Sequence, residues 1–358
     1  MSTLTRERFD VARAEAFTGR LLGALNEGAL MLMVSIGHRT RLFDVLAERG
    51  SSTSAELAQA AGLDERYVRE WLGAMAVGGV VDYDTVARRY ALPAEHASVL
   101  TRGAAVNLAA SAQFLPVLAS VEDQVVDCFA KGGGVPYDAY PRFHEVMAEE
   151  SDQTVVAALE AHILPLVPGL TEALRDGIDV LDVGCGRGRA LAKLAATYPA
   201  SRFVGFDLSA EAVAEGNARA AAAGLRNLRL EVRDVAAIED EGRFDLVTAF
   251  DAIHDQARPD RVLESIRTSL KPLGLFLMQD IGASRDVEKN FAHPLGPWLY
   301  TISCMHCMTV SLAQGGEGLG ACWGEEKARE LLAEAGFTSV EVSRVEGDPL
   351  NAYYVCRP

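Results

Sequence analysis

Apolar positions along the chain fall into two textures. Through residues 1–175 they recur mostly every three or four positions, as on helices; from Ile178 onward short apolar runs alternate with such stretches. Phe17, Leu21 and Leu25, then Leu30, Met31 and Val34, form one helical stripe. Thr53 with Glu56 three residues later predicts a capping box, opening a helix that carries Leu57 and ends near Gly62. A second helix is predicted from Asp64 through Tyr67, Val68, Trp71, Leu72 and Met75 to Gly78-Gly79. Residues 80–83 and 89–92 read as two short strands, so this stretch predicts a winged helix-turn-helix.

The later texture predicts strands at 178–183, 202–207, 228–232, 244–250 and 275–280. Helices fall between them at 190–197, 210–223 and 259–270. That rhythm predicts an open parallel sheet with helices on both faces, hence an α/β Rossmann-like fold. A long insertion at 281–324 interrupts it before a helix at 325–335 and strands at 339–342 and 352–356. Three segments follow: 1–100 as the helical winged domain, 101–175 as connecting helices broken at Gly132-Gly133-Gly134, and 176–358 as the sheet. The glycine break suggests a mobile cover.

Charge narrows the partners. The net charge is −16, and residues 1–100 hold 11 basic and 13 acidic residues. On the second helix of the winged unit, Arg66 and Arg69 are outnumbered by Asp64, Glu65 and Glu70. A nucleic-acid reader needs a basic stripe, so neither DNA nor an anionic membrane is an expected partner. No uninterrupted apolar run approaches a membrane span, the richest being residues 29–36, and the first residues lack the apolar core of a signal peptide. Six cysteines in 358 residues do not suggest a disulfide framework, and a cytoplasmic protein is expected.

The strongest chemical signal is Asp182-Val-Gly184-Cys185-Gly186-Arg-Gly188, placed after a strand and opening a helix. Glycines there admit a ligand to the backbone, and the helix start offers unpaired N–H groups. Asp207 ends the next strand 19 residues beyond Gly188, where a carboxylate can take two ribose hydroxyls. The dinucleotide pattern fails, because its sixth position is Arg189. The spacing instead resembles the class I methyltransferases that bind S-adenosylmethionine. Asp234, Phe244-Asp-Leu-Val, and Leu270-Lys-Pro-Leu-Gly274 resemble the later motifs of that group, with Leu273 departing from its usual glycine. The resemblance implies S-adenosylmethionine as cofactor, held by Asp182, Gly184, Cys185, Gly186, Gly188, Asp207, Leu208, Asp234, Val235 and Phe250, with no metal required. The winged domain before such a sheet is similar to small-molecule O-methyltransferases and to an actinobacterial group that carries segments like Gly132–Tyr137 and His306–Ala313. In that group the first domain serves dimerisation and covers the acceptor, so a homodimer is implied.

Transfer to a hydroxyl needs a base, and His254 stands just past the fourth strand of the sheet, beside Asp255. This pair resembles the base segment of plant-type O-methyltransferases, although Gln256 replaces the tryptophan found there. Candidate acceptor contacts are Tyr137, Tyr140, Phe143 and His144 after the triple glycine, and Trp298, His306 and Cys307 in the insertion. Tyr300 and Trp323 are further aromatics, and Gly315–Gly320 a flexible pocket edge; His162 reads as a core histidine. Cys304, His306 and Cys307 leave open transfer to a sulfur or metalloid centre. A ligand-sensing regulator without turnover is the other class of reading.

Overall fold

The computed structural model describes residues 9–238, 240–346 and 348–358. The chain divides into two compact units, one ending at Pro116 and one running from Val117 to Pro358. Residues 101–116 therefore belong with the winged unit, and residues 117–175 with the sheet.

In the first unit, α1 spans Val11–Arg39, α2 Leu42–Arg49, α3 Ser54–Ala61 and α4 Glu65–Val77. The local signals act as their chemistry dictates. Thr53 and Glu56 close a reciprocal capping box, Gly62 ends α3 in the left-handed region, and the Asp64 carboxylate caps α4. Strands β1 (Asp82–Asp84) and β2 (Arg89–Ala91) pair antiparallel as the wing. Phe43, Leu46, Leu57, Val68, Trp71 and Leu72 bury between the helices, and the Trp71 indole N–H donates to the Met33 carbonyl at 2.9 Å. On α4, Arg66 pairs with Glu70 and Arg69 with Glu65, so the helix offers no free basic stripe.

The α1 helix corrects the expectation of no apolar span. By length and composition it could cross a membrane, because a helix averages over Asn26 and Glu27, where a search for an uninterrupted run stops. Its C-terminal part is core, with Val34, Ser35, Gly37 and His38 buried. Its N-terminal two-thirds exposes Phe17, Leu21, Leu22 and Leu25.

The second unit is built on a seven-stranded sheet. Its strands are β3 (Asp179–Val183), β4 (Arg202–Asp207), β5 (Leu228–Val232), β6 (Phe244–Phe250), β7 (Leu270–Ile281), β8 (Ser339–Ser343) and β9 (Asn351–Arg357). Their order is β5-β4-β3-β6-β7-β9-β8. The first five strands are parallel to one another, as their alternation with helices predicts, and β9 inserts antiparallel between β7 and β8 at one edge. Strand β7 also starts earlier than expected. Leu270 pairs with Phe244, and the register then slips before Leu275 meets Leu246, so Lys-Pro-Leu-Gly lies within an irregular strand.

Apolar side chains cover both faces. One face packs Val262, Leu263, Ile266, Leu331 and Leu332 from the helices Pro259–Ser269 and Gly324–Glu334. The other packs Leu159, Ile163, Leu170 and Leu174 with Leu191 and Leu194. The segment before the sheet is thus half of its core as well as a connector. His162 departs from its expected place in the core and is exposed on the π-helical turn Leu159–Ile163, whose buried residues are Leu159 and Ile163. The chain leaves β3 toward β4 and β5 and then crosses back to β6, which opens a crevice at the carboxyl ends of these strands.

Candidate active site

That crevice is a cavity of about 780 Å³ within the second unit. Its floor is the turn after β3. Gly184 has φ +68°, and a Cβ there would stand 2.5 Å from the Ala252 Cβ, so only glycine fits. The Asp207 carboxylate, at the end of β4, accepts the Gly186 N–H at 2.7 Å and the Ser209 N–H at 2.8 Å. These two bonds fix the glycine turn against the strand end. Asp182, on β3, is buried beside Thr248 of β6, whose hydroxyl donates to it at 2.7 Å. Burial pushes the Asp182 carboxyl up to about 7.

Of the expected cofactor residues, Asp182, Gly184, Cys185, Gly186, Asp207, Leu208, Val235 and Phe250 line the cavity. Two do not. Gly188 is a packing position, where a Cβ would stand 2.7 Å from Leu230. Asp234 is exposed, and its carboxylate caps the turn Val235–Ala237 by accepting the Ala236 N–H.

The opposite wall carries the titratable groups. His254 lies in the loop after β6, 3% exposed, and its Nδ1 sits 2.9 Å from Oδ1 of Asp280 on β7. Asp280 Oδ1 also accepts the Trp323 indole N–H at 3.0 Å and the Ile281 N–H at 2.7 Å. An oxygen that accepts from two fixed N–H groups carries no hydrogen of its own, so His254 Nδ1 carries the hydrogen and donates. Nε2 is left as the atom that gives or takes a proton. Burial alone would lower the His254 pKa, but the Asp280 charge outweighs it and holds the imidazole well above its ordinary range. The Cys307 thiol faces the same imidazole.

Asp255 lines the cavity but does not hold His254. Its carboxyl meets the Gln256 amide at 3.4 Å, and burial pushes it up to about 7. Asp251, at φ 55°, places Oδ1 3.8 Å from His254 Nδ1, and burial raises it to about 6. Among the described residues, Asp251, His254 and Asp280 are the one group of three metal-capable side chains with donor atoms within 4.8 Å of one another. Cys304, His306 and Cys307 are not such a group.

The cover comes from two segments. Gly134 lies so close to the helix Met308–Ala313 that a Cβ would stand 2.0 Å from the Thr309 carbonyl oxygen. Beside it the Val135 N–H donates to the Thr309 hydroxyl at 2.8 Å, and the Tyr140 hydroxyl donates to the Met305 carbonyl at 2.5 Å. Tyr137, Tyr140, Phe143, His144, His306 and Cys307, the residues expected near an acceptor, all line the cavity. Trp298 is half-buried outside it, Tyr300 bonds Asn290, and Trp323 instead serves Asp280. Gly315–Gly320 also lies outside the lining: Gly316 packs on Ala257, and Gly318 on Leu312.

Sequence reasoning missed Asp280 and Asp251. A carboxylate at the end of an apolar strand, Leu-Met-Gln-Asp, is the signal that points to the first. Asp251 directly follows the last residue of the neighbouring strand β6.

Residues 28–102 match the Rv2258c-like winged HTH domain, and residues 174–336 match a family described as methyltransferase domain. The trans-aconitate 2-methyltransferase of Deinococcus radiodurans is 34% identical over 100 residues, covering 28% of this chain and 36% of that protein. The chain spans less than half the length of the curated relatives it matches. Human N-acetylserotonin methyltransferase in complex with S-adenosylmethionine superimposes with a TM-score of 0.70 at 17% identity, covering 100% of this chain and 99% of that one. The mitomycin 7-O-methyltransferase also gives 0.70, at 18% identity, covering 98% and 100%. At such identities the likeness is one of fold, and the acceptors named for these proteins differ. Residues 28–102 are a winged helix-turn-helix domain of the Rv2258c-like family, and residues 174–336 are a methyltransferase domain.

Proposed function

We propose that this protein transfers a methyl group from S-adenosylmethionine to an oxygen of a small-molecule acceptor. One observation carries the reading. The glycine turn with Asp207 and the His254 ring, held from behind by Asp280, border a single cavity, so a donor seat and a proton acceptor share one space.

The residues fit the donor. Gly184 has no room for a side chain, which keeps the backbone open to a ligand, and Asp207 stands at the strand end suited to a ribose. Gly184, Gly186, Asp207 and Phe250 would hold it; when bound it supplies a sulfonium methyl. The carboxyls of Asp182, Asp207, Asp251 and Asp255 line the cavity, and in their ionised forms they favour a cation over its neutral product. His254 Nε2 removes the hydroxyl proton, Asp280 keeps the ring oriented and stabilises the imidazolium that forms, and the aromatic cover excludes water.

The exposed apolar part of α1 supports a homodimer. Leu22 and Leu25 are 58% and 69% exposed, and a stripe of this kind is usually covered by a partner.

His254→Ala tests the reading. Turnover on a hydroxyl acceptor falls by about 10²–10⁴-fold, while S-adenosylmethionine affinity stays within about twofold. Unchanged turnover removes the base assignment. Cofactor binding with no methyl transfer across a broad acceptor panel would favour a ligand-sensing regulator. Activity lost on Cys307→Ser but kept on His254→Ala would favour a sulfur or metalloid centre.

A further inference from the structure

At the cover, one buried polar atom has no partner in the protein. His306 sits on the π-helical turn Ser303–Cys307 and is 2% exposed. Its ring stacks face to face on Phe143, with centroids 3.7 Å apart and planes within 7°. Tyr137 and Tyr140 close on it edgewise at 5.1 and 4.9 Å. Its Nε2 is buried and makes no hydrogen bond. Stacking alone does not call for this nitrogen, since a phenylalanine would pack the same way, and an unpaired buried nitrogen is costly.

Two further observations point into the cavity. The π-helical winding is a local distortion of the helix, of a kind frequent at functional sites, and His306 and Cys307 on it both line the cavity. Cys307 faces His254, so the two imidazoles border the same end of the cavity. Burial, together with the neighbouring His254 and His144, keeps the His306 ring neutral.

We propose that His306 recognises a second hydroxyl on the methyl acceptor, which is a planar arene bearing at least two hydroxyls. A hydroxyl satisfies either neutral tautomer of the ring, because it both donates and accepts. A planar arene suits a chamber walled by flat rings. One hydroxyl faces His254 and loses its proton; the other pairs with His306 Nε2. This inference rests on the oxygen-transfer reading above.

The test is a binding measurement on the full chain, with and without S-adenosylhomocysteine. Phenol, catechol, resorcinol and hydroquinone are titrated into the wild type, His306→Phe and His306→Gln. At least one dihydroxybenzene binds the wild type about tenfold more tightly than phenol, about 1.4 kcal/mol. His306→Phe keeps the ring stack and loses that preference, His306→Gln retains part of it, and S-adenosylhomocysteine affinity is unchanged in both. Equal affinities in the wild type, a preference that survives in His306→Phe, or no binding of any arene overturns the proposal. Loss of S-adenosylhomocysteine binding in His306→Phe would make His306 a cofactor contact. Failure of the wild type to bind S-adenosylhomocysteine at all would instead undo the transfer reading.

Discussion

Nδ1 of His254 lies 2.9 Å from Oδ1 of Asp280, a residue with no exposed surface that also takes the Trp323 and Ile281 N–H groups. Three donors on one buried oxygen fix both the ring and its tautomer. The pair therefore sets which nitrogen meets the cavity and at what pH that nitrogen is free.

A base must be unprotonated. Because Asp280 raises the His254 pKa above the ordinary 6.5, the free imidazole grows in as pH rises through a value above 6.5, and turnover rises with it. Asp280→Asn removes the charge and leaves burial, which lowers the pKa. The rising limb of the kcat/KM profile then moves to lower pH, and the plateau falls on the order of 10²-fold through lost orientation. Steady-state rates from pH 5 to 9 check this. An unmoved profile would detach Asp280 from the proton transfer. A rate abolished by chelator in the wild type would point to a cation on Asp251, His254 and Asp280 instead.

The contact of Val135 with Thr309 ties the cover to the insertion. Thr309→Val keeps the shape and removes the hydroxyl, leaving a buried N–H without its acceptor at a cost of about 1–3 kcal/mol. Denaturant unfolding reports that loss. Acceptor KM rises, while cofactor affinity does not change.

The α1 stripe predicts an oligomer. Leu22→Glu with Leu25→Glu charges a surface that lies outside the buried core of its own unit. In sedimentation the wild type runs as two chains and the double variant as one, with the thermal transition of the second unit retained. A wild-type monomer at micromolar concentration contradicts the dimer.

Legibility followed range. The capping box of Thr53 and Glu56 and the turn Asp182–Gly188 are short-range grammar, and each formed as its residues dictate. The sheet strands were legible for the same reason. Asp280 was not, because it meets His254 across 26 positions and Trp323 across 43, and such pairings are set by strand order. Local pattern also misplaced His162, read as a core side chain and found exposed on a π-helical turn. Asp234 and Gly188 fit the spacing of the family, yet one caps a turn and the other packs on Leu230.

The most direct test of the central claim is calorimetric titration of S-adenosylmethionine into the full chain, Gly184→Val and Asp207→Ala. The wild type binds one equivalent per chain. Gly184→Val binds none, because its side chain would collide with Ala252, and Asp207→Ala binds at least tenfold more weakly with its fold intact by circular dichroism. No binding to the wild type, or equal binding by all three, would contradict the account.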